Sequence, residues 1–290
     1  MRLEQLEKRI GSIQHNQMKM KVNERAYYDE VLDRELISQY YYGLDLFMGN
    51  SRQKFNLLHS LVERTHKNRL SYFVSKDEYL YTWVDLQPNG NVKSIYSGEE
   101  NHPADLLRKD YEVTRRQKEA DFKVEAAHHL DKTVPEEFKF NAEHIVPQSW
   151  FGGREPMKGD LHHLFACDPG CNAKRANFAF HDFPYYDPES PDEKIRNNCG
   201  IADFDFFEPE YGKGTVARAM LYFILRYPNE IRRPFGKRVN FQLLREWNAQ
   251  FPPLLHEKHR NQAIQNIQGN RNPFIDFPDL ADNIYFPLKA

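Results

Sequence analysis

The stretch 139-KFNAEHIVPQSWFGG-153, followed at 159-GDLHHLFACDPGCNAKRANF-178, brings carboxylate, imidazole and amide side chains into one short region of the chain. Within it, residues 140-FNAEHIVP-147 predict a short strand that ends at Pro147. Residues 160-DLHHLF-165 predict a second strand of similar length. The region therefore begins as strand followed by strand.

A short helix is predicted directly after these strands. Asp168 is followed by Pro169, a pair typical of a helix start, with the aspartate as N-cap and the proline in the first helical position. Asn172 and Arg175 are three residues apart and share one face of this helix. The predicted order is strand, strand, helix.

The side chains of this region predict a hydrolytic metal site. Glu143 and Asn172, completed by water, offer only oxygen ligands, which suit Mg²⁺ or another hard divalent cation better than Zn²⁺. His144 titrates near neutral pH and can take a proton from water as a general base. Arg175 can hold a phosphate oxygen through a forked contact. Because one carboxylate and one neutral amide bind a cation weakly, a substrate phosphate can complete the coordination, and the set predicts hydrolysis of phosphodiester bonds.

The adjacent Glu143 and His144 impose a geometric condition on this site. Consecutive side chains of a regular strand point to opposite faces, so both could not reach one ion. The backbone must therefore depart from regular β geometry near Glu143 or Ile145.

Three further polar residues lie in the second predicted strand. His162 and His163 point to opposite faces of it, so one is expected to be a buried, hydrogen-bonded support and the other to be exposed. Asp160 is expected to accept hydrogen bonds from backbone donors rather than to bind a metal ion.

The composition is that of a globular chain, and its 290 residues can form one large domain or two smaller ones. The net charge of −2 argues against a basic surface over the whole molecule. Affinity for nucleic acid must therefore come from local clusters such as 106-LLRKDYEVTRRQK-118 and 226-RYPNEIRRPFGKR-238.

The chain has no apolar run of the roughly 18 residues that a membrane span needs, and its first residues lack the apolar region of a secretory signal. These features predict a cytoplasmic protein that is not integral to a membrane. Cys167, Cys171 and Cys199 are expected to be free buried thiols, with two alternatives left open. One is a structural Zn²⁺ site of the three cysteines with a histidine such as His181, and the other is a disulfide from Cys167 to Cys171 or Cys199.

The rest of the chain is predicted to be mainly helical. Helices are predicted for residues 1–40, 53–66, 215–228 and 239–251, and a β-hairpin is predicted around the Pro-Asn-Gly turn of residues 79–98.

Two further groups of residues were open to a structural or a functional interpretation. Phe204, Phe206 and Phe207 are expected in the hydrophobic core rather than as a platform for bases. Arg218 in the long helix could face phosphates or pack on a neighbouring loop.

The motifs 141-NAEHIVPQSWFGG-153, 159-GDLHHLFACDPGCNAKRANF-178 and 213-KGTVARAMLYFILRYP-228 resemble the bacterial endonuclease I family. That family belongs to the ββα-metal, or His-Me finger, nucleases. The resemblance implies an α+β fold in which a small ββα-metal core, about residues 138–180, is surrounded by mainly helical segments. It divides the chain into an N-terminal helical extension, residues 1–40, and a nuclease domain, residues 41–290.

The resemblance also implies the roles of individual residues. His144 would be the general base, Glu143 and Asn172 the Mg²⁺ ligands, and Arg175 a group near the phosphate. His162 would be the site-facing member of its pair, with Asp160 as a further supporting residue. The substrates implied are DNA and, in many members, RNA, cleaved with little sequence preference to give 5′-phosphates.

The chain departs from the family pattern at Lys158, where some members carry a glutamate. Members are commonly exported, so secretion or release stands as the alternative to a cytoplasmic location. Two other functions remain open: a sequence-selective HNH-type nuclease, and a nucleic-acid-binding protein on a catalytically silent scaffold. The sequence does not indicate an oligomeric state.

Overall fold

The computed structural model describes residues 3–46, 48–126, 141–187 and 199–287, which form an α+β architecture. The helices are α1 (Leu3–Val22), α2 (Glu30–Tyr40), α3 (Ser51–Thr65), α4 (Tyr72–Val74), which continues as a π-helical segment (Ser75–Val84), α5 (Pro103–Ala126), α6 (Gln148–Phe151), α7 (Pro169–Arg175), α8 (Lys213–Arg226), α9 (Arg233–Gly236), α10 (Phe241–Gln250), α11 (Leu255–Gln268) and α12 (Pro273–Asp276).

The strands are short and form small separate sheets. They are β1 (Val92–Lys93), β2 (Glu100–Asn101), β3 (Asn141–His144), β4 (Leu164–Cys167), β5 (Ala179–Phe180), β6 (Ile201–Asp203) and β7 (Phe206–Glu208). β1 pairs with β2 and β3 with β4, both antiparallel, and a third sheet has the order β5, β7, β6. In the third sheet β5 runs parallel to β7, and β6 runs antiparallel to it.

Helix α8 lies in the middle of the main hydrophobic core. All residues from Gly214 to Arg226 are buried, which explains why the segment is apolar around most of its circumference. Gly214 is required for close packing, because a Cβ atom there would lie 2.3 Å from the carbonyl oxygen of Phe251. The predicted helix over 215–228 is confirmed, and it provides the surface on which the other helices and the β3–β4 pair assemble.

The first helix packs on the body of the protein rather than standing apart from it. Leu6, Ile13 and Met20 are seven residues apart, so they fall on one face of α1. They belong to a second buried cluster together with Leu80 and Val84 of the π-helical segment. The N-terminal helices therefore share a core with the rest of the chain.

Two predicted strands are wrong. Residues 79–84 are helical, because Leu80, Tyr81 and Val84 are spaced so that they all face the buried side. The predicted hairpin is reduced to the region around its turn, where Gln87 donates its backbone N–H to the Asn91 carbonyl and Leu86 pairs with Val92 in an antiparallel bridge. Residues 161–163 form a 3₁₀ turn, and the second strand begins only at Leu164.

The phenylalanine prediction holds in part. Phe207 is fully buried and Phe206 packs against the core. Phe204 is 87% exposed, because it occupies the turn between β6 and β7 with a positive φ of 46°.

Within the described ranges, the structure has no helix that is long and apolar enough to span a lipid bilayer.

Arg218 has a structural role. Its guanidinium donates to both carboxylate oxygens of Glu257, at 2.8 and 2.7 Å, and to the Phe251 carbonyl at 2.8 Å. Both members of the ion pair are buried, and they join α8 to α11.

We expect Arg218→Met to lower the free energy of unfolding by about 3–5 kcal/mol, because it leaves Glu257 buried without its partner. The double variant Arg218→Met/Glu257→Gln should recover much of the loss. Urea unfolding measures both, and Arg34→Met, which removes an exposed pair with Glu30, is the control that should change little. A loss no greater in Arg218→Met than in Arg34→Met would contradict this role.

Candidate active site

The end of β3 opens into a cleft that carries the predicted site residues. β3 pairs with β4 so that Glu143 lies opposite Phe165 and His144 opposite Leu164. Regular strand structure ends at His144, and the chain bends after Ile145. The cleft has a volume of about 230 Å³ and is lined by Ala142, Glu143, His144, Pro147, Gln148, Ser149, Asn172, Arg175, Ala176 and Asn177. The structure therefore brings Glu143, His144, Asn172 and Arg175 together, as the proposed chemistry requires.

The His144 imidazole is held with one nitrogen turned toward protein. Its Nε2 lies 2.9 Å from the carbonyl oxygen of Lys158. Because a carbonyl oxygen can only accept a hydrogen bond, Nε2 carries the ring proton. Nδ1 is then the unprotonated nitrogen, 3.4 Å from the side-chain amide of Gln148. Burial lowers the pKa of His144 to about 3, so the ring is neutral at neutral pH. The geometry gives a neutral imidazole whose unprotonated Nδ1 has only a long contact with the Gln148 amide among the described residues.

The Glu143 carboxylate is buried between two donors. Its Oε1 accepts a hydrogen bond of 2.7 Å from the Tyr96 hydroxyl, and the Arg175 Nε lies 3.4 Å from the same oxygen. Burial raises the pKa of Glu143, and the Arg175 charge and the Tyr96 hydrogen bond oppose that rise. The carboxyl group is thus desolvated, and a further positive charge would stabilise its ionised form.

Arg175 is fully buried, and both of its terminal nitrogens donate to backbone carbonyls. It donates to the carbonyl oxygens of Ile145 at 2.7 Å and Ala176 at 3.2 Å, and it lies 5.0 Å from the centre of the Phe180 ring. These bonds fix the bend that follows β3. The predicted forked contact with a phosphate stays a prediction.

Helix α7 delivers Asn172 to the cleft. Asp168 caps the helix by accepting from the Cys171 N–H at 3.0 Å, and Pro169 occupies the first turn, so the predicted helix start is confirmed. The Asp168 N–H in turn bonds the Ser94 hydroxyl at 3.0 Å. The half-buried Asn172 side chain makes no hydrogen bond to any residue that the structure describes.

These observations fit a hard divalent cation. Glu143 supplies a desolvated carboxyl group and Asn172 an amide oxygen that has no hydrogen-bond partner among the described residues, and both line one small cleft. All-oxygen sites with few protein ligands suit Mg²⁺, which retains several waters.

His162 and His163 both lie in the 3₁₀ turn and both are buried, so the prediction that one of them is exposed is wrong. The Nε2 of His162 donates to the Asn270 carbonyl oxygen at 3.1 Å, and its ring contacts the Tyr222 ring. It is the His163 ring that lies against His144, with ring centres 5.4 Å apart. Residues 161–163 do not form a strand because the Asp160 side chain accepts a hydrogen bond of 3.1 Å from the His162 N–H.

Asp160 acts as a buried acceptor. Besides the His162 N–H, it accepts from the hydroxyls of Tyr222 at 2.8 Å and Tyr227 at 2.9 Å and from the Gln268 amide at 3.0 Å. The His162 N–H is the backbone donor that the sequence analysis expects. The side-chain donors come from positions more than 60 residues away.

Several residues around the site were missed from the sequence. Tyr96, Gln148 and Tyr72 contact Glu143 or His144 directly. Gln148 lies four residues after His144, but the intervening bend gives no periodic signal. Tyr96 and Tyr72 come from distant segments and are indistinguishable in the sequence from the other tyrosines.

Comparison of the sequence with known protein families identifies one family. The profile of the Endonuclease I family matches residues 52–279, which is most of the chain. The chain belongs to the endonuclease I family.

Individual relatives carry nuclease names. The chain is 33% identical over 162 residues to an extracellular ribonuclease of Bacillus amyloliquefaciens, covering 50% of this chain and 54% of that protein. It is 33% identical over 156 residues to an extracellular deoxyribonuclease of Aeromonas hydrophila, covering 46% and 64%. It is 25% identical over 171 residues to Endonuclease-1 of Buchnera aphidicola subsp. Baizongia pistaciae, covering 51% and 66%. The chain spans about half the length of the first of these relatives.

The cysteines of this endonuclease I family member form one disulfide, between Cys171 and Cys199. Cys167 is free and buried, so the predicted pairing of Cys167 with either of the others is wrong, as is the expectation of three free thiols. The Cys₃His zinc site is also not formed, because two of its sulfur atoms are bonded to each other. The bond attaches α7, which carries Asn172, to the chain just before β6.

We expect Cys199→Ser to lower the free energy of unfolding by about 3–4 kcal/mol, because the disulfide closes a loop between residues 28 apart. Thermal unfolding with and without reducing agent measures this. Reducing agent should destabilise the natural chain but not the variant. Equal sensitivity of both proteins would mean that the disulfide does not form.

Proposed function

We propose that this chain is an endonuclease that uses Mg²⁺ or another divalent cation to hydrolyse phosphodiester bonds of DNA and RNA. It acts with little sequence preference and leaves 5′-phosphates. The observation that carries the proposal is that His144, with one unprotonated ring nitrogen, lines the same cleft as Glu143 and Asn172, whose side chains offer oxygen ligands. The antiparallel β3–β4 pair followed by α7 supports a ββα-metal core in which these groups act.

His144 is the general base of this mechanism. Nδ1 takes a proton from water while Nε2 keeps its own proton on the Lys158 carbonyl, which also stabilises the imidazolium that forms. The water oxygen attacks phosphorus, and the bond to the 3′ oxygen breaks. The 3′ oxygen receives a proton, so the products are a 3′-hydroxyl and a 5′-phosphate.

The remaining groups prepare the site. When bound by Glu143 and Asn172, a divalent cation supplies Lewis-acid stabilisation of the charge that develops on the phosphate. Tyr96 and Arg175 hold the Glu143 carboxylate in place. We also propose that Arg175 lies near the phosphate.

The disulfide and the names of the relatives support an oxidising location. Relatives in Bacillus and Aeromonas are named extracellular or periplasmic nucleases. Disulfides persist in such compartments and are rare in the cytosol. We therefore propose that the protein works outside the cytoplasm, where it would not meet the nucleic acid of its own cell.

We expect His144→Ala to reduce cleavage of plasmid DNA by roughly 10²- to 10⁴-fold, because the general base is lost. Binding of DNA should be largely retained. Gel assays of supercoiled DNA and total RNA, with EDTA lanes, measure cleavage, and the exposed His15→Ala is the control. Undiminished cleavage by His144→Ala would exclude its role as base.

The same gels of the natural chain distinguish the alternative functions. Discrete bands would favour a sequence-selective nuclease, and binding without cleavage would favour a silent scaffold.

The metal ligands are tested by the Mg²⁺ dependence of cleavage. Asn172→Leu removes an oxygen donor and should raise the Mg²⁺ midpoint, whereas Asn172→Asp keeps one and should not raise it. Glu143→Gln should raise the midpoint as well. Superimposable Mg²⁺ titrations for Asn172→Leu and the natural chain would remove Asn172 from the ligand set.

A further inference from the structure

An aromatic corner lies beside the proposed general base. The Tyr72 ring stacks on the His144 ring, with centres 5.3 Å apart and planes 29° apart. The Phe73 ring contacts Tyr72 edge to face at 5.5 Å. Phe73 is 70% exposed, although it lies one aromatic ring away from His144. The mechanism above uses neither ring.

The corner is fixed to the loop that orients His144. The Tyr72 N–H donates to the Glu155 carboxylate at 2.8 Å, and the Ser75 hydroxyl donates to the Gly159 carbonyl. A Cβ atom at Gly159 would lie 2.1 Å from the Leu70 carbonyl oxygen, so the two segments touch through their backbones. The segment that carries the exposed Phe73 is therefore held in place by these contacts, so little conformational entropy is lost when Phe73 binds a ligand.

One uncompensated positive charge lies at the same corner. The Lys158 ammonium is 5.2 Å from the centre of the Tyr72 ring. Within the described part of the chain it has no carboxylate within salt-bridge distance, whereas Lys76 nearby lies 3.8 Å from both Asp77 and Asp110. The Glu155 carboxylate at this corner is bound to the Tyr72 N–H. Lys158 is thus available to an anion.

We propose that Phe73 and Lys158 form a nucleotide subsite next to the cleft, in which Phe73 stacks on an unpaired base of the substrate strand and Lys158 contacts a phosphate. This inference rests on the proposed function. A nucleic acid strand offers the two chemistries that the corner presents, a flat apolar face and an anion, at adjacent positions. Because both faces of a base are covered in a duplex, the subsite favours single-stranded or locally opened substrate.

Phe73 is tested with short single strands that contain one cleavable phosphodiester among phosphorothioate linkages. One strand carries every base, and two others carry an abasic residue on the 5′ or the 3′ side of the scissile bond. The natural chain should cleave the complete strand about tenfold more efficiently, in kcat/KM, than at least one abasic strand. Phe73→Ala should abolish this ratio and Phe73→Trp should keep it.

Tyr42→Ala, which removes an aromatic ring that is 87% exposed and does not line the cleft, is the matched control and should keep the ratio. An unchanged ratio in Phe73→Ala, or an equal loss on all strands, would overturn the base contact. A lower oligomeric mass of Phe73→Ala in sedimentation would assign the ring to self-association instead and also overturn it. If the natural chain cleaves no strand, the proposed function fails, and binding of the same strands in EDTA still tests the subsite.

Lys158 is tested by the salt dependence of that binding. Lys158→Met should lower the slope of log affinity against log salt concentration by about 0.7, the value for one phosphate contact on a single strand. The exposed Lys8→Met is the control and should leave the slope unchanged. An unchanged slope in Lys158→Met would exclude the phosphate contact.

Discussion

The site depends on the hydrogen bonds that the buried Asp160 carboxylate accepts. Burial alone would raise its pKa, but the neighbouring histidines and the Gln268 amide outweigh burial and hold the pKa well below its usual range. The anion accepts hydrogen bonds from the Tyr222 and Tyr227 hydroxyls at the C-terminal end of α8 and from the end of α11. It lies two residues after Lys158, whose carbonyl orients His144. The position of the proposed base is therefore set by the packing of two long helices.

Buried arginines explain why the charge count of the chain says little about its surface. Arg260 pairs with Asp85 and donates to the Leu161 and Leu164 carbonyls, which fixes the 3₁₀ turn and the start of β4. Arg271 pairs with Asp33 and Asp276. Arg175 and Arg218 are buried in the same way. Each of these arginines donates to specific acceptors, because a buried charge without a partner would destabilise the fold.

The sequence predicts the elements whose signals are local. α7 was predicted from an Asp-Pro start, and α8 and α10 from apolar periodicity and the prolines that follow them. Residues 79–84 were misassigned because their aromatic and β-branched side chains are equally typical of strands, and only burial against α1 favours a helix. The four predicted site residues could be proposed because they lie within one short region of the sequence. Their supports, Tyr96, Tyr72 and the Lys158 carbonyl, depend on tertiary contacts that no local pattern encodes.

The charges around the cleft do not fully compensate the burial of the Glu143 carboxyl group. Glu143 is desolvated, and the nearest guanidinium nitrogen, Nε of Arg175, lies 3.4 Å away without a hydrogen-bond partner among the described residues. Arg175 therefore attracts the carboxylate without satisfying it, and burial still raises the pKa of Glu143. His144 is held neutral, so it adds no positive charge. A further positive charge would stabilise the ionised form of Glu143, and the Asn172 amide is the second oxygen ligand of the cation site that we propose.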